Sequence, residues 1–173
     1  MNGTSHTIGV SNGQYGATAY AMDKKGTQAK KGYFFFDDEI VALGSGITSS
    51  ESTEIHTTLN QAKADNVIVD GVAVSQDTTK EVTDAKWIYD NKIGYIFPDK
   101  TTVTVANTYQ KDNPSLWEEE KKESTPRTFK AYINHGSKPS NQSYSYIILP
   151  NQTSDQVSRY AADNPITIVV NNE

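Results

Sequence analysis

Cysteine is absent from all 173 residues. Disulfide frameworks and thiolate metal sites are thereby excluded, although secreted bacterial chains often lack cysteine too. Histidine is scarce: there are 3, His6, His56 and His135, and they are too far apart for a His-x-x-x-His metal pair. No apolar run approaches the roughly 20 residues that span a bilayer. Met1 to His6 is polar, unlike a secretory leader. Residues 1–8 are therefore expected to lie outside the fold, with 9–173 forming one domain. Positive charge is not in excess: Lys+Arg number 16 against Asp+Glu 21, a formal net charge of −5. Without a basic cluster the chain is a poor partner for nucleic acid or an anionic membrane surface.

What the sequence does have points to strands. It carries 10 Tyr, 5 Phe and 2 Trp among many Thr and Val, the side chains that suit a pleated sheet. Gly13–Met22 alternates, with Tyr15, Ala17, Ala19 and Ala21 on one face and Thr18, Tyr20 and Met22 on the other. The aromatic run Tyr33–Phe36 reads as a strand buried on both faces, paired across an acidic turn with Ile40–Leu43. Gly44-Ser45-Gly46 reads as the end of that second strand. Val67–Val74 reads as a hairpin around Asp70-Gly71, a dipeptide suited to a two-residue turn with positive φ. Trp87–Phe97 reads as another hairpin, after which Pro98-Asp99-Lys100 is expected to turn the chain into Thr101–Tyr109. Lys111–Pro126 is charged and reads as a long surface connection. Thr153 and Gln156 have capping-box spacing before one short helix near 154–163, and Ile166–Val170 reads as a last strand. About ten to twelve strands at near-regular spacing predict an all-β fold, an antiparallel β-sandwich.

Reactive constellations are few. Asp37, Asp38 and Glu39 cluster at a turn. A solvated hairpin tip explains them, and a calcium site is the alternative, since calcium takes six to eight oxygen ligands. Gly44-Ser45-Gly46 lacks the Lys-Ser/Thr ending of a P-loop, and Gly-x-Ser-x-Gly is absent, so no serine nucleophile is signalled. Trp117, Tyr144 and Tyr146 are candidates to stack on sugar rings. Trp117 reads equally as an anchor for its loop, and the two tyrosines, on one face of a strand, equally as packing residues. His56 reads as a satisfied sheet residue and His135 as a turn residue.

The run Lys31-Gly-Tyr-Phe-Phe-Phe-Asp-Asp-Glu-Ile-Val-Ala-Leu-Gly-Ser-Gly-Ile47 resembles a signature of polysaccharide lyase family 8. In the same order, Thr57-Thr58-Leu-Asn-Gln61, Trp87 with Ile93-Gly-Tyr-Ile-Phe97, Asn134-His-Gly-Ser-Lys-Pro139, Tyr144-Ser-Tyr-Ile-Ile-Leu-Pro-Asn151 and Tyr160-Ala161 are similar to family segments. The resemblance runs from about Gly9 to Val170. It implies the later part of a central β supersandwich in a secreted bacterial enzyme. Such enzymes cleave hyaluronan, chondroitin or xanthan by β-elimination. It also implies that the catalytic Asn, His, Tyr and Arg lie upstream in a helical toroid of the same parent chain. No position here matches those motifs, so no catalytic residue is carried over and no cofactor is implied. The expected role is support for the toroid and for the cleft that holds an acidic polysaccharide. An autonomous carbohydrate-binding module and an adhesin-like spacer are the alternatives. A sandwich cut from a larger one is further expected to cover its open sheet edge or to self-associate.

Overall fold

The computed structural model describes residues 3–110 and 125–172. Among them, eleven strands and one helix follow in chain order: β1 (Gly3–Ser11), β2 (Gly16–Lys24), β3 (Thr27–Phe35), β4 (Ile40–Ser49), β5 (Glu54–Lys63), β6 (Ile68–Val69), β7 (Val72–Ala73), β8 (Thr78–Asp90), β9 (Ile93–Tyr109), β10 (Arg127–Ser137), β11 (Gln142–Pro150) and α1 (Ser154–Ala162). The hydrogen-bonded path is β1-β2-β3-β4-β11-β9-β8-β6-β7, with β10 added to β9 and β5 to β10. The all-β expectation holds, and the pairings are antiparallel.

β9 changes partner along its length. Its first residues, Ile93–Ile96, bond to β11, and its last, Thr104–Tyr109, bond to β10. β8 accompanies it through both halves, but the ladder slips on either side of Ala85. Asp84 there adopts φ 53, and Pro98 on β9 has no N–H to contribute. Bulges of this kind bend a strand and let it pass from one sheet to the next. The expected turn at Pro98-Asp99-Lys100 is therefore not a turn. The strand continues through the proline and carries the sheet over into a second layer. β5, β10 and the second half of β9 form that layer, which packs on β4 and β11.

The core between the layers holds Val103, Val105, Phe129 and Ala131, all fully buried, with Ala42 and Tyr144 opposite them. A second cluster lies on the outer side of the first layer, where Val41, Trp87, Ile96, Ile147 and Leu149 meet Val157 of α1. β4 and β11 thus bury both faces. The aromatic run does not: Phe34, Phe35 and Phe36 are 38%, 40% and 42% exposed. They sit at the end of β3 nearest the thin β1–β2 extension, where the facing residues are alanine and glycine and no further layer covers them.

Several boundaries differ from the sequence expectation for clear reasons. Gly3–Ser11 forms β1 by pairing with β2, so residues 3–8 of the stretch expected to lie outside the fold are part of the sheet. β4 runs straight through Gly44-Ser45-Gly46. Gly46 takes φ 61 beside a register shift against β3, a bulge and not an end. Residues 166–170 form no strand, because β11 already has β4 and β9 as neighbours and offers no free edge. The tail is held by side chains instead. Ser45 Oγ donates to Asn172 O (3.2 Å) and Asn171 Nδ2 to Tyr144 O (2.9 Å). Both hairpins form as expected: Asp70 and Gly71 have φ 49 and 81, and Asn91 and Lys92 have φ 46 and 65.

The helix forms where its capping box predicts. Gln156 N donates to Thr153 Oγ1 (3.3 Å), and Thr153 N donates to Gln156 Oε1 (2.7 Å). Val157 is fully buried over Gly94. A Cβ on Gly94 would overlap the Val157 side chain, so the glycine sets the distance between helix and sheet. Gly94→Ala should cost about 1–3 kcal/mol, as overpacking does. A urea melt of the variant should show the midpoint falling with the slope unchanged.

Candidate functional site

Cross-strand register builds a row of polar and aromatic side chains on the inner face of the first layer. Tyr20 on β2 pairs with Lys31 on β3. Lys31 pairs with Gly44 on β4, and Gly44 faces Tyr144 on β11. The neighbouring row is Thr18, Tyr33, Ala42 and Tyr146. Because side chains alternate across a strand, each row stays on one face. Gly44 is needed at its place: the Tyr144 ring occupies the space its Cβ would take. Tyr144 also stacks with Tyr146, ring centroids 5.7 Å apart.

The second layer closes over part of this row. His135 of β10 lies 6.3 Å from the Tyr144 ring, centroid to centroid, and its Nε2 is 2.8 Å from Thr57 Oγ1 of β5. Asn60 Nδ2 donates to Tyr95 Oη at 2.7 Å. Burial then sets the protonation states. It pushes the Tyr95 hydroxyl up to about 12. It raises those of Tyr144 and Tyr146 further, aided by the Tyr33 hydroxyl. Tyr20 is raised by burial and by Tyr33 beside it. His135 is pushed down to about 4 by burial, then by the charge of Lys31 and by His56. Lys31 itself is half-buried, and burial lowers its pKa. At neutral pH the row presents neutral hydroxyls, a neutral imidazole and one ammonium.

On the opposite face of β5 and β10, His56 stacks on Tyr132, centroids 4.3 Å apart and planes 25° apart. Lys130 Nζ sits 4.9 Å from the Tyr132 ring centroid, within range of a cation–π contact. His56 Nε2 is 3.3 Å from Glu54 Oε2, and Asn134 and His56 hold the Glu54 carboxyl below its ordinary range. His56 is thus a satisfied sheet residue, as expected. His135 is not a turn residue: it lies within β10, bound to Thr57.

The sequence-derived sugar candidates fare unevenly. Tyr144 and Tyr146 are each only 5% exposed. They form the buried floor of the row and offer no free ring face for stacking, so packing is the role the structure gives them. Trp117 lies outside the described residues. Asp37, Asp38 and Glu39 do not converge. Asp37 accepts hydrogen bonds from Gln14 Nε2 (3.1 Å) and Tyr15 Oη (3.0 Å), tying the β3–β4 turn to the β1–β2 turn. Glu39 and Asp38 lie instead toward Tyr160 of α1, whose hydroxyl is raised to about 12 by burial and then by these two carboxylates. Among the described residues no group of three His, Asp or Glu is placed to hold a metal ion.

Tyr20, Lys31 and Tyr33 were missed by sequence reasoning. The signal was the alternation Ala29, Lys31, Tyr33 along β3, hidden by the run of three phenylalanines that follows it. The titration of His135 has a measurable consequence. Its folded pKa lies below its ordinary 6.5, so between the two values the unfolded chain binds the extra proton. That contribution to stability is intact above about pH 6.5 and is lost as pH falls toward about 4. Denaturant midpoints measured across this window should fall with acid, and His135→Gln should flatten the decline.

The super-sandwich domain of polysaccharide lyase family 8 matches residues 2–161. The chain is similar to chondroitinase-AC of Pedobacter heparinus, 36% identical over 174 residues that take in 95% of this chain and 24% of that protein. It is 37% identical over 182 residues to xanthan lyase of Bacillus sp. strain GL1, covering 92% of this chain and 19% of that one. Among solved structures, that of chondroitinase AC lyase superposes with a TM-score of 0.88 at 36% identity, over 96% of this chain and 25% of the other. Paenibacillus xanthan lyase superposes with a TM-score of 0.85 at 32% identity, over 93% of this chain and 17% of the other. The chain therefore spans a quarter or less of the length of these relatives.

Proposed function

The chain belongs to polysaccharide lyase family 8, and from that premise we propose that it is a non-catalytic β-sandwich of a bacterial, extracellular polysaccharide lyase. In this role it braces the catalytic helical toroid of the parent chain and borders the cleft that holds an acidic polysaccharide. Cleavage of a uronate-containing chain by β-elimination needs a base for the C5 proton, a donor for the leaving oxygen and a group that neutralises the adjacent carboxylate. All three must lie within hydrogen-bond reach of one sugar. The observation that carries the proposal is the protonation pattern of the row. Its hydroxyls are held protonated by burial. Its one imidazole is a weak base already engaged with Thr57. The row can bind and orient, but it lacks a base poised near neutrality. A carbohydrate-binding module acting alone is the second reading, and the part-exposed His56–Tyr132 stack is what favours it.

The two faces of the β1–β3 extension differ in kind, which suits a domain wedged between a ligand and another protein layer. The inner face is polar and aromatic. The outer face carries a contiguous apolar stretch: Ile8 is 69% and Val10 73% exposed, and with Ala17, Ala19 and Phe34 they line an open groove of about 340 Å³. Contiguous exposed apolar surface of this sort marks an interaction site. β1 is also an edge strand with one free side among the described strands. Alone, the chain should self-associate through this edge and face, and Val10→Glu should shift it to monomer in sedimentation velocity. A wild-type chain that stays monomeric at high concentration would contradict that.

The catalytic assignment is tested by incubating the purified chain with hyaluronan, chondroitin and xanthan while recording the ultraviolet absorbance of unsaturated products. The expected trace is flat with all three polymers. Sustained turnover would place the chemistry inside this domain and end the proposal.

A further inference from the structure

The first layer is wider than the second. β5 is the last strand of the second layer, bonded to β10 alone, whereas the first layer continues past β4 through β3 and β2 to β1. Beyond β4 the inner face of β2 and β3 is only partly covered: Met22 and Tyr33 pack against the interlayer core, and the uncovered part forms a shelf of partly buried side chains. Thr18, Tyr20, Lys31 and Tyr33 are the side chains of that shelf, each only partly buried. Fully buried Ala131 and Phe129 lie deeper, under the closed part.

Lys31 is out of keeping with such a position. Taking an ammonium partly out of water costs free energy unless an opposite charge or several acceptors compensate. Among the described residues the one ion pair joins His56 to Glu54, and no carboxylate lies within ion-pair distance of Lys31. Burial, and after it the charge of Lys31, holds the His135 imidazole neutral. On the same face Tyr20 pairs with Lys31 across β2 and β3, and the Tyr33 hydroxyl lies beside that of Tyr20. Each of these tyrosines carries an O–H able to donate. The set therefore comprises one cation and a pair of donors with no anion to receive them.

We propose that Lys31, with the hydroxyls of Tyr20 and Tyr33, receives one anionic substituent of an acidic sugar on this shelf. The substituent is a carboxylate or a sulfate ester, and the tyrosine rings supply edges and faces for the sugar that bears it. The chemistry matches an anion on three counts. The charge is of the right sign, the donors are neutral at physiological pH, and charge-assisted hydrogen bonds form best where water is partly excluded. Gly44 is part of the arrangement, since its missing side chain lets the Tyr144 ring lie across β4 beside Lys31. The assignment rests on the reading of the chain as part of a lyase acting on acidic polysaccharide, and it adds the residue that would read the acid.

The test is calorimetric titration of the intact chain with three probes: a hyaluronan hexasaccharide, which carries carboxylates only; the same hexasaccharide methyl-esterified; and a carboxyl-reduced chondroitin sulfate hexasaccharide, which carries sulfates only. At least one anionic probe should bind and the esterified one should not; which anionic probe binds identifies the substituent. Lys31→Met should weaken that binding by about tenfold or more, the scale of losing a charged hydrogen bond, whereas Lys31→Arg should retain most of it. Lys31→Met should also raise the thermal midpoint, because it removes a half-buried charge. Should that variant fold poorly, Tyr20→Phe deletes one donor while keeping the ring and should weaken binding several-fold. Equal binding of esterified and free hyaluronan, no binding of either anionic probe, or full affinity in Lys31→Met would each overturn the proposal. These outcomes are separate from turnover of polymer by the chain, which would instead overturn the non-catalytic reading.

Discussion

Strand β9 is the element on which the rest depends, because it belongs to two layers at once. Its first half bonds to β11 and its second to β10, and the change comes at Pro98 and the bulged residues facing it on β8. An unbroken ladder there would extend one flat sheet, and nothing would press Phe129, Ala131 and Ile133 onto β4 and β11. A missing N–H and a positive-φ aspartate at Asp84 thus convert a long antiparallel sheet into a sandwich with a core. Burial of that core, at roughly 25 cal/mol per Å² of apolar area, is what holds the two layers together.

The same fold-over decides where chemistry can occur. Strands under both layers are packed on both faces, as β4 and β11 are, and their polar side chains become neutral and structural. Tyr144 and Tyr146 show this: burial holds their hydroxyls protonated. Strands beyond the fold-over, β1 to β3, keep part of a polar face and an apolar stretch open. A charge that is partly desolvated but still reachable can persist only in that margin, and Lys31 is found there. The helix contributes at a distance. Val157 packs on Gly94 and closes the outer side of the first layer around Trp87 and Leu149.

Much of this was legible residue by residue. Asp70-Gly71 and the Thr153–Gln156 capping box are local devices, whose geometry is fixed by a few neighbouring atoms, and they formed where they were expected. Pro98 and Gly44-Ser45-Gly46 misled for the same reason in reverse. Each looks like punctuation when only its neighbours are considered. In the fold one marks a bend within a strand, and the other holds a bulge and makes room for a ring that arrives from a strand 100 residues further on. Phe34–Phe36 looked like the interior because of their hydrophobicity, but whether an apolar strand is buried depends on what lies on it, and the β1–β2 extension carries no covering layer.

The sequence by itself determined the all-β class, the hairpin turns, the helix and the family, since alternation, turn dihedrals, capping and ordered motifs are properties of short stretches. Only the tertiary structure decided which tyrosines were buried. It also brought Lys31 to the margin of the second layer beside His135, and it scattered the three carboxylates at residues 37–39. Those outcomes depend on long-range register and on the extent of each layer. A single strand contains no information about how far its partner sheet reaches, so the electrostatic character of a site built between layers emerges only when both are in place.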